Sequence, residues 1–583
     1  LYLGTRLAHL MRLPVFLDEA MHLDWAFRTA GTGQLVGHTD GGRYLPIWIY
    51  ALVAAGAADP LRAARLCSVA WGLAAALGLA WLGRLLESPL AGVLAALLYV
   101  AAPFTLLYDR MALVDSLLTA LVVYALVFGV LWARTAAWRW ASALAVVVGA
   151  AGLTKLSGLL LLAVPAAVAF SSRSSRRARL RGQLLGIYGV SLALLVPLFL
   201  DAVGTGRFFA ENLWVLRSGA DGSSFLARNA ELAAAWLVAY LTPIGAALIS
   251  LAAAWSLRHR ERADMLLLSV AAGWCLFFVI VGGRYWFPRY VLPAIPPLLL
   301  LLARRATRAG PGAAWLTAGL LAVAWVRFDA ALIADPVHAP LPPVERSQYI
   351  YDWPSGYGLA EVLGLLRQAA EAAPVTVLRD QSSTPLKEGL DLLLRDGKAR
   401  IETVDAPVKA ADFAETAQRL MLAGRPVLLA IDQPAEPQLV LSLDGRRALG
   451  PWAEVAKPDG LRQVAVYAVA GTGEPTPGAD EGERRRLEER ARRDGPSAAM
   501  ESRRGWSLGR RGRWDEAEAA FRRSLELEGA VAGTHNGLGV SLWLQGRRQE
   551  AIRSLAEAHR LDREDVRAGF NLGVARSAVL RDR

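Results

Sequence analysis

Cysteine is nearly absent from this chain. Its 583 residues hold Cys67 and Cys275 alone, each inside an apolar run, so they encode no disulfide framework and no cysteine metal site. The opening LYLGTRLAHLMRLP lacks the pattern of a secretory signal peptide. It reads as the tail of a cut first span, and a truncated N-terminus is expected. WPSGYG (353–358) is glycine-rich but lacks the Lys-Ser/Thr of a phosphate loop, which leaves a structural turn. The long apolar runs show no internal repeat, which argues against a transporter built from related halves.

Apolar side chains are in excess. Hydrophobic residues make up 54% of the chain and mean hydropathy is +0.32, too high for one soluble domain of this length. The excess is local: about 60–330 is mostly Leu/Ala/Val runs, and after 335 the chain reads as ordinary soluble protein. The expected organisation is a multi-span membrane domain (1–335), a small α/β domain (340–471), a charged linker (472–497) and an all-α tail (498–583). The net charge of +12 lies in arginines between the runs and in the tail. Arginines between spans set topology, so nucleic acid is not the expected partner.

Spans are drafted at 62–83, 89–107, 113–133, 138–153, 156–170, 183–201, 231–256, 265–282, 289–303 and 312–327. Alternate loops are basic, with Arg84, Arg134, Arg139, Arg173 to Arg181, Arg258 to Arg262, and Arg304 to Arg308; these are expected in the cytoplasm. The other loops are mixed in sign and are expected outside, as is everything after about 330. The outer set holds Asp18, Glu19, Arg110, Asp115, Lys155, Glu211, Arg284 and Arg289. Ionisable groups converging on one membrane face make a candidate site.

Four outer stretches are specific: FLDEAMHLDWA (16–26), YDRMALVDSLLTALVVYAL (108–126), GLTKLSGLLLLAVP (152–165) and RYWFPRYVLPAIPPLLLL (284–301). Through them, over about 10–330, the chain resembles the polyprenol-dependent glycosyltransferases of the GT-C superfold. The likeness is strongest to the protein O-mannosyltransferase and lipid A aminoarabinose transferase group. In order, the stretches are similar to that group's first-loop Asp-Glu, its Arg-then-Asp opening a span, its Lys between two short spans, and its Arg-Tyr-rich entry to a proline-containing late span. Three departures stand out. The first span is expected to be missing or truncated. The second outer acidic element is less clear, with Glu211 in FFAENLWVLRSG the best candidate. A WWDYG-type motif is absent, against en bloc oligosaccharide transfer.

The resemblance implies a polytopic α-helical membrane enzyme that takes sugar from a polyprenyl-phosphate donor, with inversion. The acceptor is a lipid, glycan or protein outside the cytoplasm, in a bacterial inner membrane. By carry-over Asp18 is the base, supported by Glu19, and partial burial is expected to raise its pKa. The other reading of this acidic pair is a helix N-terminus. Arg110, Lys155, Arg284 and Arg289 are the cations expected to stabilise the leaving phosphate, against snorkelling anchors as the alternative. Asp115 is expected to hold Arg110 or a sugar hydroxyl. Tyr108, Trp286 and Tyr290 are of the type that stacks on sugar or prenyl groups or forms the interfacial belt. His22 and Asp24 share the segment of the acidic pair, but their spacing gives no metal geometry, so no metal or other cofactor is expected.

In the soluble half, 374–380, 399–405, 425–433 and 463–471 read as strands, with helices LKEGLDLLLRD and AADFAETAQRLML between. Farther on, Gly505, Gly539 and Gly573 recur every 34 residues, as do Gly512 and Gly546, and Ala517 and Ala551. That period is specific for tetratricopeptide repeats, here two plus one further helix. So few repeats imply docking or oligomerisation, and their concave face is expected to recruit an acceptor or protein partner. Two other readings remain: a transporter or flippase, and a membrane scaffold acting through the repeats. The first conflicts with polar groups gathered on one face; the second leaves them without a purpose.

Overall fold

The computed structural model describes the chain except residues 40–41, 172–175, 206–223, 282–285, 380–383, 396–399, 406–409, 435–437, 459, 461, 471–496, 564 and 582–583. It divides into two units, 1–13 with 18–346, and 14–17 with 347–583.

The first unit is helical. After α1 (Tyr2–Leu7), α2 (Leu17–Thr32) and α3 (Tyr44–Val53) come α4 (Pro60–Leu86), α5 (Pro89–Ala101), α6 (Pro103–Tyr108), α7 (Asp115–Thr135) and α8 (Trp138–Thr154). A 3-10 turn (Leu156–Leu162) leads to α9 (Ala163–Ser171), α10 (Arg177–Leu194) and α11 (Val196–Thr205). Then follow α12 (Ser224–His259) and α13 (Arg262–Val281); a 3-10 turn (Pro288–Ala294) precedes α14 (Ile295–Arg308) and α15 (Pro311–Ala334). Prolines set several starts. Asp59 caps α4 through Arg62 N (3.0 Å) and Ser88 caps α5 through Ala91 N (3.2 Å), each followed by proline at the first helical position.

Among the described residues, five helices are long and apolar enough to cross a membrane, or six if the bent pair α10–α11 is one span. The 27 residues of α4 reach roughly 40 Å, beyond the ~30 Å hydrocarbon core. Other drafted spans are broken. The 89–107 run splits at Ala102-Pro103, and 289–303 begins as 3-10 turn. Within α12, Thr242 leaves helical geometry just before Pro243, which has no amide hydrogen to donate. The basic loops meet at one end of this unit. There Arg304 contacts Glu87, Glu261 and Asp264, and Arg134 donates to Leu85 O.

The second unit carries strands β1 (Val375–Arg379), β2 (Ile401–Asp405), β3 (Val427–Pro434), β4 (Val440–Leu441), β5 (Ala448–Leu449), β6 (Ala453–Ala456) and β7 (Arg462–Ala470). The main sheet has order β2-β1-β3-β7-β6, parallel through β2, β1 and β3 and antiparallel from β3 onward. Helices α17 (Leu359–Ala372), α19 (Ala410–Leu422) and the short α18 (Leu390–Leu394) belong to this unit, while the short α16 (Pro343–Arg346) closes the first one. The WPSGYG turn is structural. A Cβ on Gly356 would lie 2.0 Å from Val15 O, and Gly358 has φ +88°. Lys457, fully buried, ties this turn down through Asp352 O (2.7 Å) and Ser355 O (2.9 Å).

Five helices end the chain: α20 (Ala498–Arg510), α21 (Trp514–Leu527), α22 (Ala532–Leu544), α23 (Arg548–Leu561) and α24 (Val566–Arg581). The glycine period has a packing cause. A Cβ on Gly505 would lie 2.6 Å from Phe521, and one on Gly539 would lie 2.6 Å from Leu555, residues themselves 34 apart. Nearly all of the 472–497 linker lies outside the described residues.

Candidate active site

Four breaks in helical structure meet at the end of the first unit opposite the basic loops. Asp18 stands in the first turn of α2, where the helix dipole favours a carboxylate. Asp115 opens α7. Lys155 caps the C-terminus of α8 in extended conformation, and the chain then reverses tightly, since a Cβ on Gly158 would lie 2.0 Å from Ala151 O. Arg289 and Tyr290 come from the 3-10 turn before α14.

These residues pair. Arg289 Nη2 donates to Asp18 Oδ2 at 2.8 Å, and Lys155 Nζ donates to Asp115 Oδ1 at 2.8 Å. Tyr290 bridges the pairs, with Lys155 Nζ 3.8 Å and Arg289 Cζ 5.5 Å from its ring centroid. Asp18 keeps 21% of its side chain exposed, against 5% for Arg289 and 3% for Asp115, so solvent or ligand reaches the cluster beside Asp18. Burial pushes the Asp18 carboxyl up, but the nearby charges of Arg289, Arg43 and Lys155 outweigh it and hold the group below the usual carboxylate range. This corrects the expected raised value: the cations, not burial, dominate.

His22 lies beside Asp18, one turn further along α2. Its Nδ1–H donates to Ala112 O (3.0 Å), and its Nε2 accepts from Arg43 Nη1 (3.5 Å). Burial and the Arg43 charge push its pKa down to about 4, so it is neutral at pH 7. Between pH 6.5 and 4 the unfolded chain therefore binds the proton that the folded chain refuses, and stability falls as pH drops through that window. Replacing His22 by Gln should remove this slope, worth up to about 3 kcal/mol for a shift of this size; thermal unfolding at pH 7 and 4.5 measures it.

Other expected site residues sit elsewhere. Glu19 is fully buried in a two-pronged pair with Arg65 (2.8 and 2.7 Å) and also accepts from Ala112 N (2.7 Å), so it braces the site without facing it. Arg110 donates to the carbonyls of Ala8 (2.9 Å) and His9 (2.8 Å), which removes it from the anion cluster and leaves Asp115 to Lys155 instead. Tyr108 is buried against Phe104 and Tyr240 in an apolar cluster. Glu211 and Arg284 lie outside the described residues.

Sequence reasoning missed two residues of the candidate site and its support, Arg43 and Arg65. Each had a signal. Arg43 is a cation in the mixed outer segment, next to an aromatic helix. Arg65 is a charge one turn into an apolar span, which demands a buried partner. Arg43, Lys155 and Arg289 against Asp18 and Asp115 leave the cluster one positive charge in excess, with His22 neutral. Such a cluster accepts an anion.

The family model described as dolichyl-phosphate-mannose-protein mannosyltransferase matches residues 44–200. That stretch carries Asp115 and Lys155 but not Asp18 or Arg289. The crystal structure of ArnT from Cupriavidus metallidurans bound to undecaprenyl phosphate is similar at TM-score 0.52 and 18% identity, covering 81% of this chain and 98% of that one. This chain has the GT-C fold. The apo ArnT structure from the same organism gives TM-score 0.50 at 17% identity, covering 81% and 97%. No curated protein sequence matches the chain. A GT-C fold with these apolar helices makes it an integral membrane protein.

Proposed function

We propose that this GT-C protein moves a sugar from a polyprenyl-phosphate donor to a hydroxyl of a lipid, glycan or protein acceptor. The observation that carries the reading is the cluster of Arg43, Lys155 and Arg289 around Asp18, positive in sum and set at one end of an apolar bundle. A lipid phosphate has that chemistry: an anionic head on an apolar tail. The mannosyltransferase family match over 44–200 and the undecaprenyl phosphate in the ArnT crystal of the same fold support it.

In this reading the donor phosphate draws Arg289 and Lys155 from their carboxylates. Asp18 loses its main counter-charge, its proton affinity rises, and it takes the proton of the acceptor hydroxyl. The acceptor oxygen attacks the anomeric carbon opposite the phosphate, the bond from that carbon to the phosphate oxygen breaks, and configuration inverts. The cations hold the charge that develops on the leaving phosphate. The basic loops at the other end support a site outside the cytoplasm by the positive-inside rule, and the membrane of this reading is a bacterial inner membrane. The last five helices are tetratricopeptide repeats in this reading.

Membranes containing the full chain should transfer radiolabelled sugar from a set of polyprenyl-phosphate hexose and pentose donors to endogenous acceptors. Absence of transfer with every donor, in membranes where the protein is folded, overturns the reading.

A further inference from the structure

One face of the helical tail is covered by the chain around 438–445. Asn536 on α22 and Asn571 on α24 are both fully buried and are hydrogen-bonded to each other (3.0 Å). Asn571 Oδ1 accepts from the backbone N of Leu441 at 2.7 Å, while its Nδ2 also donates to Leu439 O at 3.3 Å. Asn536 Nδ2 donates to Gln438 Oε1 (3.3 Å), and Trp543 Nε1 donates to Gly445 O (2.8 Å). An amide side chain that both accepts from and donates to one stretch of main chain reads an extended peptide independently of its side chains. Leu439, Val440, Leu441 and Leu443 fill the apolar space between, each at most 2% exposed.

A second observation concerns Gly573 on α24. Gly505 and Gly539 each take a bulky residue from the helix that follows, Phe521 and Leu555. Gly573, third in the series, has no following helix among the described residues. It takes Phe413 of α19 instead, where a Cβ would lie 2.9 Å away, and Phe413 also meets Phe570 edge-on at 5.4 Å. A helix of the α/β region thus supplies to Gly573 the bulky residue that Gly505 and Gly539 receive from the repeats.

We infer that the repeat groove is a peptide-binding site whose ligand is this chain's own segment 438–445, so that the tail is an intramolecular clasp on the α/β region. Recruitment of an acceptor through that groove then requires displacement of the segment. The inference rests on the repeat reading of the last five helices, and its test does not depend on sugar transfer.

The test uses the full chain in detergent with a specific protease site inserted within 472–497. After cutting, the wild-type tail should stay with the membrane part through gel filtration. Asn571→Ala should release it at least tenfold faster. Leu441→Pro, which removes the amide hydrogen that Asn571 accepts and leaves the tail helices untouched, should do the same. Release of the wild-type tail on cutting overturns the inference. So does retention of the Asn571→Ala tail at the wild-type rate. Release by Asn571→Ala without release by Leu441→Pro also overturns it, because the loss then lies in the tail's own folding.

Discussion

Asp18→Asn should lower sugar transfer by roughly 10²–10⁴-fold, the usual contribution of a positioned general base. Asn keeps the size of the side chain and an oxygen for Arg289, whose Nη2 lies 2.8 Å from Asp18 Oδ2, so the cluster should stay assembled. What it loses is the group that takes the proton. The loss should therefore appear in kcat. KM for the donor should hold or fall, because a carboxylate that competes with the phosphate for Arg289 is gone. Removing Lys155 should act on the other side, raising donor KM as well. In the free enzyme, Asp18 is held below the usual carboxylate range, so the acid limb of kcat/KM should lie below that range as well. Arg289→Met should move that limb upward, since the largest opposing charge is removed. An Asp18→Asn enzyme with wild-type kcat excludes Asp18 as the base.

The apolar runs were legible because a span must be long and continuous, and a 27-residue helix such as α4 leaves no alternative period. That Asp18, Asp115, Lys155 and Arg289 gather at one end of the bundle was legible too, from arginine alternation. Pairing was not. Lys155 joins Asp115 across 40 positions, and Arg289 joins Asp18 across 271; with several cations and acids on one face, sequence offers no reason to prefer one match. Arg110 shows the cost: its motif fits the resemblance, yet the backbone carbonyls of Ala8 and His9 take its guanidinium. The Asp18 pKa was misread for the same reason, because burial is legible in a sequence and the number of cations within reach is not. In the tail, the 34-residue phase is visible because glycine must face a bulky side chain. The occupied groove is hidden because its ligand includes β4, a strand of two residues, too short to carry a periodic pattern.

Glu19 and Arg65 test whether the second acid of the opening pair acts in chemistry or in architecture. Both are fully buried, and Arg65 also donates to Leu10 O (3.0 Å) and Leu13 O (2.9 Å), tying α2 and α4 to the segment before α2. Arg65→Met leaves Glu19 as a buried charge without its partner, which should cost about 3–5 kcal/mol. Glu19→Gln strands the guanidinium but keeps an acceptor for Ala112 N, so its loss should be of similar sign and smaller. The double variant Glu19→Gln/Arg65→Met removes both charges and retains that acceptor. Since a buried ion pair is worth little over a well-packed neutral substitute, the double variant should regain most of the stability lost in Arg65→Met. Thermal unfolding in detergent measures this cycle. Activity then decides the role. If Glu19 only braces α2, the double variant should recover transfer along with stability, because Asp18 returns to Arg289. A double variant that unfolds like wild type yet transfers no sugar would instead place the Glu19 charge in the reaction itself.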